Sequence, residues 1–205
     1  MVSDAARDIA ERLSDAHGFT RLEGASSAPS RPGYCAFWSD LSAIGRVQGT
    51  PFGARFLYYV GGTAAGEDLR ARLAMHRART VGASTLRLSL AAVRGGDGDW
   101  VSRDETALTE WMQQHLAVSW VECATGKEVT AALIGAMRPP LNSDYNSDHP
   151  EYPIVRDARA EFRSRVGSGP QSATPKQRST AAEPSICPVC FQSLPASGVC
   201  DCAEN

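Results

Sequence analysis

Residues 57–76 read LYYVGGTAAGEDLRARLAMH, and the reading of this stretch decides the fold. Leu57-Tyr58-Tyr59-Val60 is aromatic and β-branched, which favours an extended strand. Gly61-Gly62 is expected to end that strand, because glycine tolerates backbone angles that other residues avoid. After the short, largely small and polar run from Thr63 to Asp68, a helical period begins at Leu69. Leu69, Leu73 and Arg77 lie four apart, as do Arg72 and His76, so each set shares a helix face. Tyr58 is expected to face the opposite side of the strand from Tyr59, in the core. A strand tyrosine, a glycine turn and a helix bearing Arg and His can form an anion site. The guanidinium offers a fixed fork to phosphate oxygens, and a tyrosine hydroxyl can move a proton. An aromatic strand and an amphipathic helix also read as plain core with a solvated face. The stretch alone leaves both readings open.

Working outward, Gly33-Tyr34-Cys35 precedes Tyr59-Val60-Gly61, and Pro139-Pro140-Leu141-Asn142 follows well downstream. Together with Arg72 and His76, Ser84-Thr85-Leu86-Arg87 and Leu108-Thr109-Glu110-Trp111-Met112, these motifs resemble a bacterial branch of the GIY-YIG nuclease family, over roughly Pro32 to Arg163. The resemblance implies a small mixed or antiparallel sheet flanked by helices, with the two tripeptides on neighbouring antiparallel strands. It implies Tyr34 as the base that activates water, Tyr59 beside it, Arg72 as phosphate clamp, His76 in support and Asn142 tying down the closing loop. The family also binds one Mg²⁺ or Mn²⁺ ion through a glutamate that stands three residues before a Leu-Ile pair. Counting back from Leu133-Ile134 lands on Thr130, and the nearest acid is Glu128. Two residues rotate a helical side chain by roughly 200°. Either the helix is offset at its N-terminus, so that Glu128 swings inward as a displaced metal ligand with Glu122 a more distant option, or the metal site is degenerate. Threonine is a poor replacement for a carboxylate.

Six arginines fall between Leu69 and Gly96 (Arg70, Arg72, Arg77, Arg79, Arg87 and Arg94) with no acid among them. In a chain of net charge −2 that asymmetry reads either as a local phosphate-binding patch or as a solvated helix face. No apolar run reaches membrane-spanning length, and residues 1–17 alternate charges with small apolar residues, unlike a signal peptide. A cytoplasmic protein is expected. His115 reads as a packing or surface histidine, and His149 lies in a polar loop.

The expected organisation is an N-terminal packing helix within residues 1–24, an α/β domain over 25–166, a flexible linker over 167–185 and a small zinc ribbon over 186–205. Strands are expected over Tyr34–Trp38, Phe56–Val60 and Ala117–Cys123, with a long hairpin loop over Leu41–Arg55. Helices are expected over Leu69–Arg79, Ser84–Val93 (opened by a Ser cap), Asp104–Leu116, Glu128–Met137 and Ile154–Val166. The tail pairs Cys187 with Cys190 and Cys200 with Cys202. A Cys-x-x-Cys knuckle and a second pair can complete a tetrahedral Zn²⁺ site, and so short a segment needs metal to fold. A redox-labile thiol cluster and an iron–sulfur site are the alternatives. The ribbon would present Phe191, Leu194 and Val199 to a protein partner or to nucleic acid.

Two functions follow from the resemblance: a metal-dependent nuclease acting on nucleic acid, DNA ahead of RNA, or a catalytically degenerate domain that binds nucleic acid. A protein-interaction scaffold without a nucleic-acid role is the third reading.

Overall fold

A computed structural model describes residues 4–77, 80–94 and 105–167, all within the first of two units, Met1–Gly169. The expected linker, the zinc ribbon and its four cysteines lie outside the described residues. The core is a five-stranded sheet in the order β1-β7-β2-β6-β5, with every neighbouring pair antiparallel. Its strands are β1 (Thr20–Arg21), β2 (Gly33–Ser39), β5 (Thr50–Phe52), β6 (Arg55–Gly62) and β7 (Ala117–Glu122). The expected hairpin loop also carries β3 (Ala43–Ile44) and β4 (Val47–Gln48), which pair with each other in a separate two-stranded sheet.

β2 lies at the centre, and all seven of its residues are buried. Alternation sends Cys35 and Phe37 into one apolar cluster and Tyr34, Ala36 and Trp38 into another. The first cluster is closed by α2 (Leu69–Arg77), α3 (Thr85–Arg94), α4 (Glu105–His115) and α6 (Tyr152–Gly167). The second is closed by α1 (Asp4–Ser14) and α5 (Lys127–Met137), through Ala6, Ile9, Leu13, Leu133 and Met137. The N-terminal helix thus shares the domain's own core. Helices on both faces make a three-layer arrangement, so the central strand reads as a continuous apolar run although its sheet is antiparallel.

The helix starts follow local chemistry. Asp68 Oδ1 accepts from Ala71 N–H at 2.7 Å and Ser84 Oγ accepts from Arg87 N–H at 3.2 Å, each relieving an unpaired donor of a first turn. No helix among the described residues is long and apolar enough to cross a membrane.

Two expectations about the decisive stretch are corrected. Gly61 and Gly62 do not follow the strand; they are its last two residues, paired with Cys35 and Tyr34. Close approach favours glycine there, most strongly at Gly62. A Cβ on Gly62 would stand 2.7 Å from the Tyr34 ring, and one on Gly61 3.1 Å from the Tyr59 ring and 3.4 Å from Arg72 Nη2. The second correction concerns Tyr58. The register slips between Phe37, which pairs with Tyr59, and Trp38, which pairs with Leu57. Tyr58 is the extra residue of this bulge, and it joins Tyr59 in the same apolar cluster instead of opposing it. It is fully buried, and its hydroxyl donates to the Leu41 carbonyl at 2.8 Å.

Candidate functional site

β5 pairs with β6 only as far as Leu57, so the rest of that edge of β6 is left to a loop. Asn142 fills the vacancy as one residue of a missing strand would. Its Oδ1 accepts from Val60 N–H at 3.0 Å, and its Nδ2 donates to the Val60 carbonyl at 2.8 Å. Leu141 N–H adds a bond to the Tyr58 carbonyl at 2.9 Å. Arg159, 5% exposed on α6, spreads its guanidinium over Ser89 Oγ, Ser143 Oγ and the Leu141 carbonyl, so α3, the loop and α6 are clamped together. Sequence reasoning passed over Arg159. An isolated arginine in a helix gives no signal that it will be buried.

Beyond this clamp opens a cleft of about 370 Å³ between the end of β6, α2, the start of α5 and the loop after α5. Tyr59, Arg72 and Asn142 line it, as does Thr130. The tyrosine is buried, and burial raises its hydroxyl pKa, an effect that the adjacent Arg72 charge partly offsets. Arg72 Nε is buried with no hydrogen-bond partner in the protein. Its Nη1 lies 3.8 Å from Glu67 Oε2, too far for a tight bond, and that oxygen already accepts from Ala64 N–H at 2.8 Å. The guanidinium also contacts the Tyr59 hydroxyl, and it has no tight carboxylate partner among the described residues. Lys127, at the first turn of α5, adds a second cation to the lining.

His76 is fully buried beneath the site, edge-on to Phe37 and Tyr59 at ring separations of 5.1 and 5.6 Å. Its Nδ1 bonds Ser84 Oγ at 2.8 Å. Burial, then the nearby Arg72 and Arg87 charges, push its pKa down to about 3, so the ring is neutral, and it packs edge-on under Tyr59 with its Nε2 unpartnered. The six arginines do not form one patch. Arg87 is fully buried and donates to the Glu105 carbonyl and Thr109 Oγ1, Arg94 stacks over Trp111 at 4.0 Å, and Arg79 lies outside the described residues. His115 stacks on Trp111, and His149 Nδ1 accepts from Glu151 N–H at 3.0 Å.

Tyr34 sits on the other side of the sheet from Tyr59. It is fully buried against Gly62, its hydroxyl accepts from Gly126 N–H at 3.1 Å, and it stands 3.1 Å from Thr130 Oγ1. Thr130 in turn donates to the Gly126 carbonyl at 2.8 Å. Tyr34 thus holds the N-terminus of α5 from behind the cleft wall and is absent from the lining. Glu128 and Glu122 are exposed and do not line the cleft.

A family model described as the GIY-YIG catalytic domain matches residues 53–161, more than half of the chain. This chain belongs to the GIY-YIG family. The family is of nuclease type, and membership carries nucleic-acid binding as its coarse function. No curated protein and no solved structure matches the chain. The matched segment spans β6, α2, α5 and the Asn142 loop, but it begins after β2.

By the family's own name its first tripeptide ends in tyrosine, and Cys35 holds that third place here. Cys35 does share a cluster with Tyr59, and burial raises its thiol pKa to about 12 despite the Arg72 charge, so it stays neutral. The divalent ion implied by the family fits poorly as well. A small, hard cation is held through carboxylates. Thr130 is neutral, with its hydroxyl engaged, and the one carboxylate among the lining residues is the exposed Asp144. Among the described residues no group of three or more His, Cys, Asp or Glu side chains is placed to hold a metal.

Proposed function

We propose that the domain grips the phosphodiester backbone of nucleic acid in the Arg72 cleft, as a GIY-YIG fold that has kept phosphate binding and lost metal-dependent hydrolysis. The observation that carries this reading is Thr130. It lies in the cleft beside Tyr59 and Arg72, at the place where the resemblance puts the metal-binding glutamate, with its hydroxyl hydrogen-bonded inside the protein. Cys35 supports the same reading, because a buried neutral thiol is a weak substitute for a tyrosine that must move a proton. What remains suits anion binding: a guanidinium on the cleft wall, a lysine and the first turn of α5.

The test compares binding and turnover in the full chain. Wild type should bind DNA with salt-sensitive affinity in EDTA and release no product with Mn²⁺ or Mg²⁺, while Thr130→Glu should gain Mn²⁺ affinity by calorimetry. Metal-dependent cutting by wild type, abolished in Arg72→Ala and Glu128→Ala, would reinstate the metal-dependent nuclease. The retained Tyr59, Arg72 and Asn142 favour that second reading.

Cys187, Cys190, Cys200 and Cys202 would hold a structural Zn²⁺ in the tail and give it a surface for nucleic acid or a protein partner. A stoichiometric zinc content that falls in Cys187→Ser is the expected result.

A further inference from the structure

The loop after α5 is held firmly on both sides of one exposed ring. Asn146, 1% exposed, donates from Nδ2 to the Pro139 carbonyl at 2.8 Å and to the Asn142 carbonyl at 3.3 Å. Arg159 Nη1 donates to Ser143 Oγ at 2.6 Å. Between these anchors Tyr145 is 45% exposed and adopts φ 58°. Of the large apolar side chains among the described residues, only Tyr145 and Ile154 are exposed. Left-handed backbone suits glycine or asparagine and is disfavoured for an aromatic residue, so folding gains nothing local from tyrosine here. The surrounding hydrogen bonds impose the strained seat, and strain of this kind collects at functional sites. Tyr145 also lines the same cleft as Arg72 and Lys127.

A ring held outward by a rigid loop loses little freedom when a flat group stacks on it. Nucleobases are such groups, and stacking is tolerant of sequence because every base has a π face. A duplex presents phosphates to this cleft but keeps its base faces covered. An unpaired strand presents a phosphate together with a free base. We infer that the cleft selects single-stranded nucleic acid, with Tyr145 stacking on an unpaired base while Arg72 and Lys127 hold the neighbouring phosphate. The inference rests on the reading of the cleft as a phosphodiester site and adds to it the class of strand.

The experiment measures affinity of the full chain for three fluorescent DNA probes: a single strand, a hairpin duplex with the same number of phosphates, and a single strand made largely of abasic sites. Wild type should favour the first. Tyr145→Asn should lose about 5-fold to 100-fold on that probe alone, the range expected for one stacked base. Its melting temperature should hold or rise, since asparagine tolerates the left-handed seat, and Tyr145→Phe should bind as wild type. A wild type that prefers the duplex, or a Tyr145→Asn that binds the single strand unchanged, would overturn the inference. Should Arg72→Ala bind all three probes as wild type does, the phosphate reading of the cleft itself fails, and this inference with it.

Discussion

Arg72 and Arg159 lie close to the same tyrosine and carry the same guanidinium, yet the protein uses them in opposite ways. Arg159 is spent on the fold: each of its three nitrogens donates to an oxygen of α3 or the closing loop. Arg87 is fully buried and bonded to the Glu105 carbonyl and Thr109 Oγ1, although its Nε, like that of Arg72, lacks a partner. Neither Arg159 nor Arg87 has a tight carboxylate partner, and burial lowers the pKa of both. What sets Arg72 apart is its place on a cleft wall, where it makes a loose approach to Glu67 and a side-chain contact with Tyr59, and leaves its buried Nε without a partner. Arginine content therefore says little about phosphate binding. What matters is how many of the five donors the protein has already used.

The sharpest break of this comparison is Arg159→Leu. It removes every bond that ties α6 to Ser89, Ser143 and the Leu141 carbonyl through this guanidinium, and should cost about 3 kcal/mol in denaturant unfolding. Arg87→Met should cost about 2 kcal/mol and leave the affinity of the folded fraction for DNA unchanged. If Arg87→Met abolished binding without loss of stability, the division between structural and binding arginines would be wrong.

His76 lies between the two groups and offers a pH test. Its folded pKa of about 3 is below the unfolded value near 6.5, so the unfolded chain binds the extra proton between those limits. Stability is thus complete above about pH 6.5 and falls as pH drops, by about 1.4 kcal/mol per unit within the window. His76→Gln should flatten the pH dependence of the melting temperature between pH 6 and 4.

Arg72→Ala should weaken DNA binding by about tenfold at low salt and shift stability by less than about 1 kcal/mol. The smallest effect belongs to Glu67→Gln. Removing the carboxylate that approaches the guanidinium should tighten DNA binding by about twofold, an advantage that high salt erases. Weaker binding in that variant would mean that Glu67 orients Arg72.

The sheet strands and helices were largely legible because their signals are local. Aromatic and β-branched runs marked β2 and β6, alternation marked β7, and apolar positions at helical spacing marked helices, with Ser84 capping α3. Asn142 and Thr130 were legible by counting along a resemblance, and both line the cleft. The bulge was hidden. One unpaired residue in β6 places Tyr58 and Tyr59 in one cluster, whereas simple alternation opposes them. The same alternation, undisturbed in β2, sends Tyr34 behind the cleft wall and Cys35 into the cluster of Tyr59.

The order of amino acids by itself determined the family and the main strands and helices, and put Thr130 where the resemblance expects a glutamate, since each depends on residue type and spacing along the chain. Only the tertiary structure decided that Arg87 and Arg159 are buried in the fold, that Arg72 lines a cleft, and that Tyr145 stands strained beside it. Burial and hydrogen-bond satisfaction depend on which distant segments meet, and that meeting leaves no periodic trace in sequence.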